Sequence, residues 1–305
     1  MRSRLFFALL FASSLAACDS RPTSTEQTIS VTATTPMVAD LVREVGGARV
    51  SVATLMGPGV DPHLYKAAAS DVSKLQNAQI VFYSGLFLEG KMQDIFSNLA
   101  HSKRRVVAVT EAIPEDRLLA PPEFAGHHDP HVWFDVMLWK LCLDPVVKTL
   151  SEVDPAGKES YERRAEEIRL RMDELHAWAL AKAAELPPDR RILVTSHDAY
   201  NYFGRAYGFQ VIGLQGISTV SEAGLADVAK LTDFIRSKGI KAVFVESSVP
   251  HNTIERISKD TGVKIGGELF SDAMGTAGQM ENGYDLGTYE GMIKHNLSAI
   301  VGGLK

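Results

Sequence analysis

Asp61-Pro62-His63 and Asp129-Pro130-His131 are the same tripeptide placed 68 residues apart. His197, in Thr195-Ser196-His197, and Asp272, in Phe270-Ser271-Asp272, follow at intervals of 66 and 75 residues. Three neutral imidazoles and one carboxylate make a complete coordination sphere for a divalent transition metal. Each interval is about one strand–helix–strand–helix unit. Such spacing belongs to a centre assembled across a whole fold, not to a local finger or a His-Glu-x-x-His helix.

Each candidate has a plainer reading. His63 lies in Met56-Gly57-Pro58-Gly59-Val60-Asp61-Pro62-His63, directly after a strand pattern, where it either ligates or caps the helix that follows. His131 belongs to the cluster Gly126-His127-His128-Asp129-Pro130-His131. It is chosen as the inner ligand because it shares the Asp-Pro lead-in with His63, and proline restricts the backbone before each ring. His127 and His128 are then solvated or act as weak capture groups. Asp61 and Asp129 shape the turns or orient an imidazole N–H from outside the ligand set. Glu246, at the end of a strand pattern, is either a similar supporting carboxylate or a cap. Ser196-His197-Asp198 is not a hydrolase triad, since triad residues meet in space and not as chain neighbours. Neither a Gly-x-Ser-x-Gly elbow nor a glycine-rich phosphate loop occurs.

The elements that would position these residues alternate. Strand patterns fall at Ile29–Thr34, Arg49–Leu55, Ile80–Tyr83 and Val106–Val109. Four more fall at Ile192–Thr195, Gln210–Leu214, Ala242–Glu246 and Lys264–Leu269. Amphipathic helical patterns between them include Met37–Val45, Ala67–Gln76 and Leu225–Lys238. Four strands per half, separated by helices, predict an α/β fold of two (β/α)4-type lobes with mainly parallel sheets. His197 and Asp272 then sit at the carboxyl ends of strands, where open α/β sheets bind ligands. Between the halves a longer pattern, 156–186, opens with Asp154-Pro155 and stops at Pro187-Pro188. Tyr161, Ala165, Ile168, Met172, Leu175, Trp178 and Ala179 mark one face of it, which predicts a rigid connecting helix. The expected division is 29–155 for the first lobe, 156–186 for the connector and 187–305 for the second lobe.

The N-terminus sets the compartment. Arg2 and Arg4 precede an apolar run, Leu5–Leu15, that is too short to span a bilayer. It ends in Leu15-Ala16-Ala17-Cys18, a lipobox pattern that predicts a signal peptide over 1–17 and lipidation of Cys18. Acyl chains on that cysteine would anchor the chain to a membrane. Residues 18–28, polar and proline-containing, then form a flexible tether. Cleavage removes two arginines and takes the formal net charge from −5 to −7. No basic stripe interleaved with aromatics is visible, which argues against a nucleic-acid partner. Cys142, in an apolar run, has no disulfide partner once Cys18 is lipidated, and reads as a buried structural thiol.

The segments GPGVDPHLY, DPHVWFD, TSHDAYNYFGRAYGF, VFVESSVP and ELFSDAMG resemble the cluster A-I solute-binding lipoproteins of metal ABC transporters, the TroA-like family. The resemblance runs from about Ile29 to Leu304. It implies two lobes joined by a backbone helix, with one metal between them. His63 and His131 would come from the first lobe, His197 and Asp272 from the second. It implies a monomer lipid-anchored at Cys18, facing the periplasm or cell exterior, that hands a divalent transition metal to an ABC permease and its ATPase. Manganese members of the family usually carry glutamate where this chain has His197. Zinc-specialised members usually carry a long His- and acid-rich loop where this chain has only Pro121 to His128. The set is therefore intermediate: zinc is favoured in vitro, with manganese or ferrous iron possible. The competing expectations are a zinc-dependent hydrolase and an adhesin whose metal is structural.

Overall fold

The computed structural model describes residues 28–124 and 126–305. The expected signal peptide, Cys18 and nearly all of the tether lie outside the described residues. Four parallel strands form the first sheet: β1 (Ile29–Ala33), β2 (Val50–Thr54), β3 (Ile80–Tyr83) and β4 (Arg105–Ala108), in the order β2-β1-β3-β4. The register places Val31 beside Val52 on one side and Ile80 on the other. Ile29, Val31, Ile80 and Phe82 are buried, as continuous apolar strands must be when helices cover both faces. Helix α1 (Pro36–Gly46) follows β1 directly. Thr35 caps it by accepting from the Val38 amide at 3.4 Å, and Pro36 fills the first helical position. Helices α2 (Ala69–Asn77), α3 (Gln93–His101), α4 (Val136–Trp139) and α5 (Leu143–Val153) complete this half.

Helix α6 (Lys158–Ala183) is the connector. Its 26 residues would span ~39 Å. Tyr161, Ala165, Ile168, Met172, Leu175, Ala179 and Ala183 are buried along it at steps of three and four. It starts at Lys158 because Asp154 does not cap it. The Asp154 carboxylate is occupied instead by Arg49 Nε and the Tyr161 hydroxyl, both at 2.7 Å, and Pro155–Gly157 makes a 3₁₀ turn. At the other end the helix stops four residues short of Pro187.

The second half contains β5 (Ile192–His197), α7 (Asn201–Tyr207), β6 (Gln210–Gln215), α8 (Leu225–Lys238), β7 (Ala242–Glu246), α9 (Asn252–Thr261) and β8 (Lys264–Leu269). It ends in a two-stranded hairpin, β9 (Met280–Glu281) with β10 (Tyr284–Asp285), and helix α10 (Tyr289–Leu304). Asn282-Gly283 turns the hairpin, both residues having positive φ. Gly239 ends α8 in the left-handed region at φ 60°. Instead of one four-stranded ladder, β5 pairs with β6 and β7 with β8, all parallel, and β5 lies beside β7. At the carboxyl ends a side chain joins β5 to β7, since the His197 amide donates to Glu246 Oε1 at 2.9 Å.

One apolar core spans both halves. It runs from Val31, Val38 and Leu41 through Ile168 and Met172 of α6 to Phe244, Ile293 and Leu297. Smaller clusters lie at the outer side of each lobe, around Leu75 and Phe96 in the first and around Val194 and Ile254 in the second. Cys142 is buried in the shared core, where burial pushes its thiol well above the ordinary value and keeps it inert.

Candidate metal centre

The repeated tripeptide builds the same turn twice. Asp61 Oδ1 accepts from the His63 amide at 2.8 Å, and Asp129 Oδ1 accepts from the His131 amide at 3.0 Å. In each case an aspartate side chain closes the backbone two residues on, and the intervening proline fixes φ. His63 sits in the loop after β2, and His131 opens the 3₁₀ turn Val132–Phe134. His197 is the last residue of β5, and Asp272 follows the end of β8 by three residues. The four therefore gather at the carboxyl ends of the sheets, between the lobes.

His63, His131, His197 and Asp272 each offer one atom such that all four atoms lie within 4.8 Å of one another. His63 Nε2 and His131 Nε2 are 3.3 Å apart. Asp272 Oδ1 lies 3.3 Å from His131 Nε2, and its Oδ2 lies 3.2 Å from His197 Nε2. All four residues are buried, three of them completely. Both Asp272 oxygens and His197 Nε2 are buried without a hydrogen-bond partner. Buried polar atoms are nearly always satisfied, so three converging orphans fit a cation as the missing partner.

Two further carboxylates aim the rings. His131 Nδ1 donates to Asp129 Oδ1 at 2.7 Å, and His197 Nδ1 donates to Glu246 Oε2 at 2.5 Å. Each bond fixes the tautomer and turns the Nε2 lone pair inward. The electrostatics follow. Burial lowers His63 to about 3, so its ring stays neutral. Burial also opposes charge on His131, but Asp129 and Asp272 outweigh it and raise the ring to about 9. His197 is held well above its ordinary value in the same way, by Glu246 and Asp272 against burial. Burial penalises the Asp272 charge, yet the His197 and His131 rings hold it well below the usual carboxylate range.

Residues 31–303 match the family described as ZnuA, zinc-uptake complex component A, periplasmic. The chain belongs to this family. It is 45% identical over 313 residues to the manganese-binding lipoprotein MntA of Bacillus subtilis, covering 100% of both chains. It is also 45% identical over 303 residues to the zinc-binding protein TroA of Treponema pallidum, covering 98% of this chain and 94% of that one. The solved structure of periplasmic TroA from Treponema pallidum superposes with a TM-score of 0.86, covering 91% of this chain and 99% of that one. Equal identity to a protein named for manganese and one named for zinc means that overall likeness does not choose the ion.

The remaining candidates of this ZnuA-family chain divide clearly. His127 and His128 stand outside the four-residue group. His127 is exposed and stacks on Phe87 with ring centroids 4.4 Å apart, while His128 Nε2 lies 3.6 Å from Glu115. Asp61 shapes its turn and does not reach the His63 ring; its other oxygen, Oδ2, accepts from Thr219. Glu246 does both things open to it, supporting a ring and joining strands. Trp133 is a residue that sequence reasoning did not single out. Its Nε1 donates to the Ser271 carbonyl at 3.0 Å, so the neighbour of His131 is fastened to the neighbour of Asp272 across the lobes. An aromatic two residues after His131 was its only signal, and an aromatic there reads equally well as core.

Proposed function

We propose that this chain is the extracytoplasmic substrate-binding lipoprotein of a metal ABC importer. It takes a divalent transition metal as cargo on His63, His131, His197 and Asp272 and delivers it to a membrane permease driven by an ATPase. The observation that carries this reading is the convergence of three unpartnered buried atoms, on Asp272 and His197, in a family of metal-uptake components. Affinity comes from dehydrating the ion into a preformed cage. Cys18 anchors the mature monomer, with residues 18–28 as tether, 29–155 and 187–305 as lobes and 156–186 as connector. Among the described residues no helix is long and apolar enough to cross a membrane.

A zinc hydrolase built on the same four residues would need an open coordination position and a free general base. The carboxylates beside the rings are engaged: Asp129 with His131, and Glu246 with the amide and ring of His197. That favours binding over catalysis and, with the family's description as a zinc-uptake component, transport over a purely structural metal. Metal analysis of protein purified without added metal, followed by competition titration, tests the proposal. One equivalent of a divalent transition metal per chain is expected. A protein that takes up none would sink it.

A further inference from the structure

The two ligands of the first lobe are fastened to the second lobe very differently. The His131 segment is held by a buried set of bonds. Trp133 Nε1 donates to the Ser271 carbonyl at 3.0 Å, the Tyr289 hydroxyl to the Trp133 carbonyl at 2.7 Å, and the Tyr202 hydroxyl to the Asp129 carbonyl at 3.0 Å. His131, His197 and Asp272 thus form one fixed assembly, whichever lobe the chain order gives them to. The His63 loop, whose Gly59 also lies close to the Ser247 carbonyl, is hydrogen-bonded to the second lobe at Asp61, whose Oδ2 accepts from the Thr219 hydroxyl at 2.6 Å. Thr219 lies in the segment between β6 and α8, which has no helix or strand of its own. The same Asp61 carboxylate holds the His63 amide through Oδ1. One side chain therefore ties a second-lobe hydroxyl to the backbone of a ligand.

Beside this bond lies a cleft of about 380 Å³. Asp61, Thr219, Ser196 and Glu222 are among its walls. Asp61 and Ser196 are chain neighbours of His63 and His197, yet none of the four ligand residues lines the cleft. Asp61 and Thr219 both line it, so their bond is part of its wall.

We propose that Thr219 is the latch of the metal site. Its hydroxyl holds Asp61 and, through Asp61, keeps His63 in the ligand set. When the bond breaks, the His63 loop swings away from the three fixed ligands, and the cleft becomes the route by which the ion enters and leaves. Thr219 is a positioning residue and does not touch the ion. The inference rests on the ligand assignment proposed above, and a charge-assisted hydrogen bond of this kind is large enough to set a rate.

The test is zinc dissociation from the full chain into excess chelator, followed by stopped flow, for wild type, Thr219→Val, Thr219→Ala and Thr219→Ser. Valine and alanine remove the hydroxyl with and without keeping the volume, and serine retains it. Loss of the hydroxyl is expected to speed dissociation about tenfold while one equivalent of zinc still binds. Serine is expected to stay close to wild type. A merely structural threonine would instead lower the thermal midpoint of the metal-free variants and leave the dissociation rate alone. The latch is overturned if valine and alanine release zinc at the wild-type rate, or if serine releases it as fast as they do. Should the wild type bind no zinc, the ligand assignment itself has failed, an outcome told apart by the wild-type titration alone.

Discussion

Glu246 Oε2 lies 2.5 Å from His197 Nδ1, while its Oε1 accepts the amide of the same histidine at 2.9 Å. One carboxylate, fully buried at the end of a neighbouring strand, thus fixes both the backbone and the ring of a proposed ligand. Supporting carboxylates of this kind are typically worth about 10–100-fold in metal affinity. Glu246→Gln offers a single acceptor to two N–H donors and is expected to weaken zinc binding within that range, one equivalent still being bound. Glu246→Ala leaves both donors buried and unpaired, which costs about 1–3 kcal/mol of stability as well. Calorimetric titration and thermal melts of both variants check this. Unchanged affinity in Glu246→Gln would mean that the ring needs no such support.

Removing a ligand should cost more than removing its support. His63→Ala, His131→Ala, His197→Ala and Asp272→Ala are each expected to lose on the order of a hundredfold or more in zinc affinity. His127→Ala and His128→Ala should change it by less than about threefold, since the first ring stacks on Phe87 and the second faces Glu115. Titration of all six separates the groups. Loss in His128→Ala comparable to His131→Ala would reassign the inner ligand of that cluster.

Binding should expel protons. Near neutral pH the His63 ring is neutral, whereas the surrounding carboxylates favour the charged form of the His131 ring, raised to about 9, and of the His197 ring, raised well above its ordinary value. A cation competes with protons for these rings, so apparent affinity is expected to rise with pH up to about 9. Calorimetry in buffers of different ionisation enthalpy counts the protons directly. Fewer than one released at pH 7 contradicts the expectation. The sign for the metal-free fold is opposite. His131 is raised above its unfolded value, so it adds stability that is full below about 6.5 and fades as pH climbs through 9.

Zinc is expected to bind more tightly than manganese at the same centre. Three imidazoles and one carboxylate suit a tetrahedral ion, and nitrogen donors follow an affinity order that places zinc above manganese. Asp272 has both oxygens turned inward and can supply a second donor, which leaves room for manganese or ferrous iron. His197→Glu replaces a nitrogen by a hard oxygen and is expected to move the preference toward manganese. Equimolar competition on wild type and variant decides the matter, and manganese displacing zinc from the wild type would refute it.

The strands were legible because buried parallel strands are short continuous apolar runs. Ile80–Tyr83 and Ala242–Glu246 fall where their patterns put them, and α8 matches Leu225–Lys238 residue for residue. The turns before His63 and His131 were legible because Asp-Pro-His occurs twice and spells its own turn. Other features have no local signature. The start of α6 depends on Arg49, more than 100 residues away, drawing Asp154 out of a capping role. Where the second sheet is split, β5 is joined to β7 by Glu246 reaching His197, a contact 49 residues apart in the chain. Trp133 and Thr219 act through partners in the other lobe, a relation that no window of sequence contains.

The indole of Trp133 stands edge-on to the His131 ring, centroids 5.3 Å apart at 72°, with its N–H spent on Ser271. Whatever alters the charge on that imidazole alters the electric field at a buried chromophore. The protein thus carries its own optical gauge. A cation bound at His131, as proposed, would change the charge beside the indole, and emission should report occupancy without any added dye. Trp133→Phe would silence the signal, and would also remove the bond to Ser271 that helps hold the His131 segment.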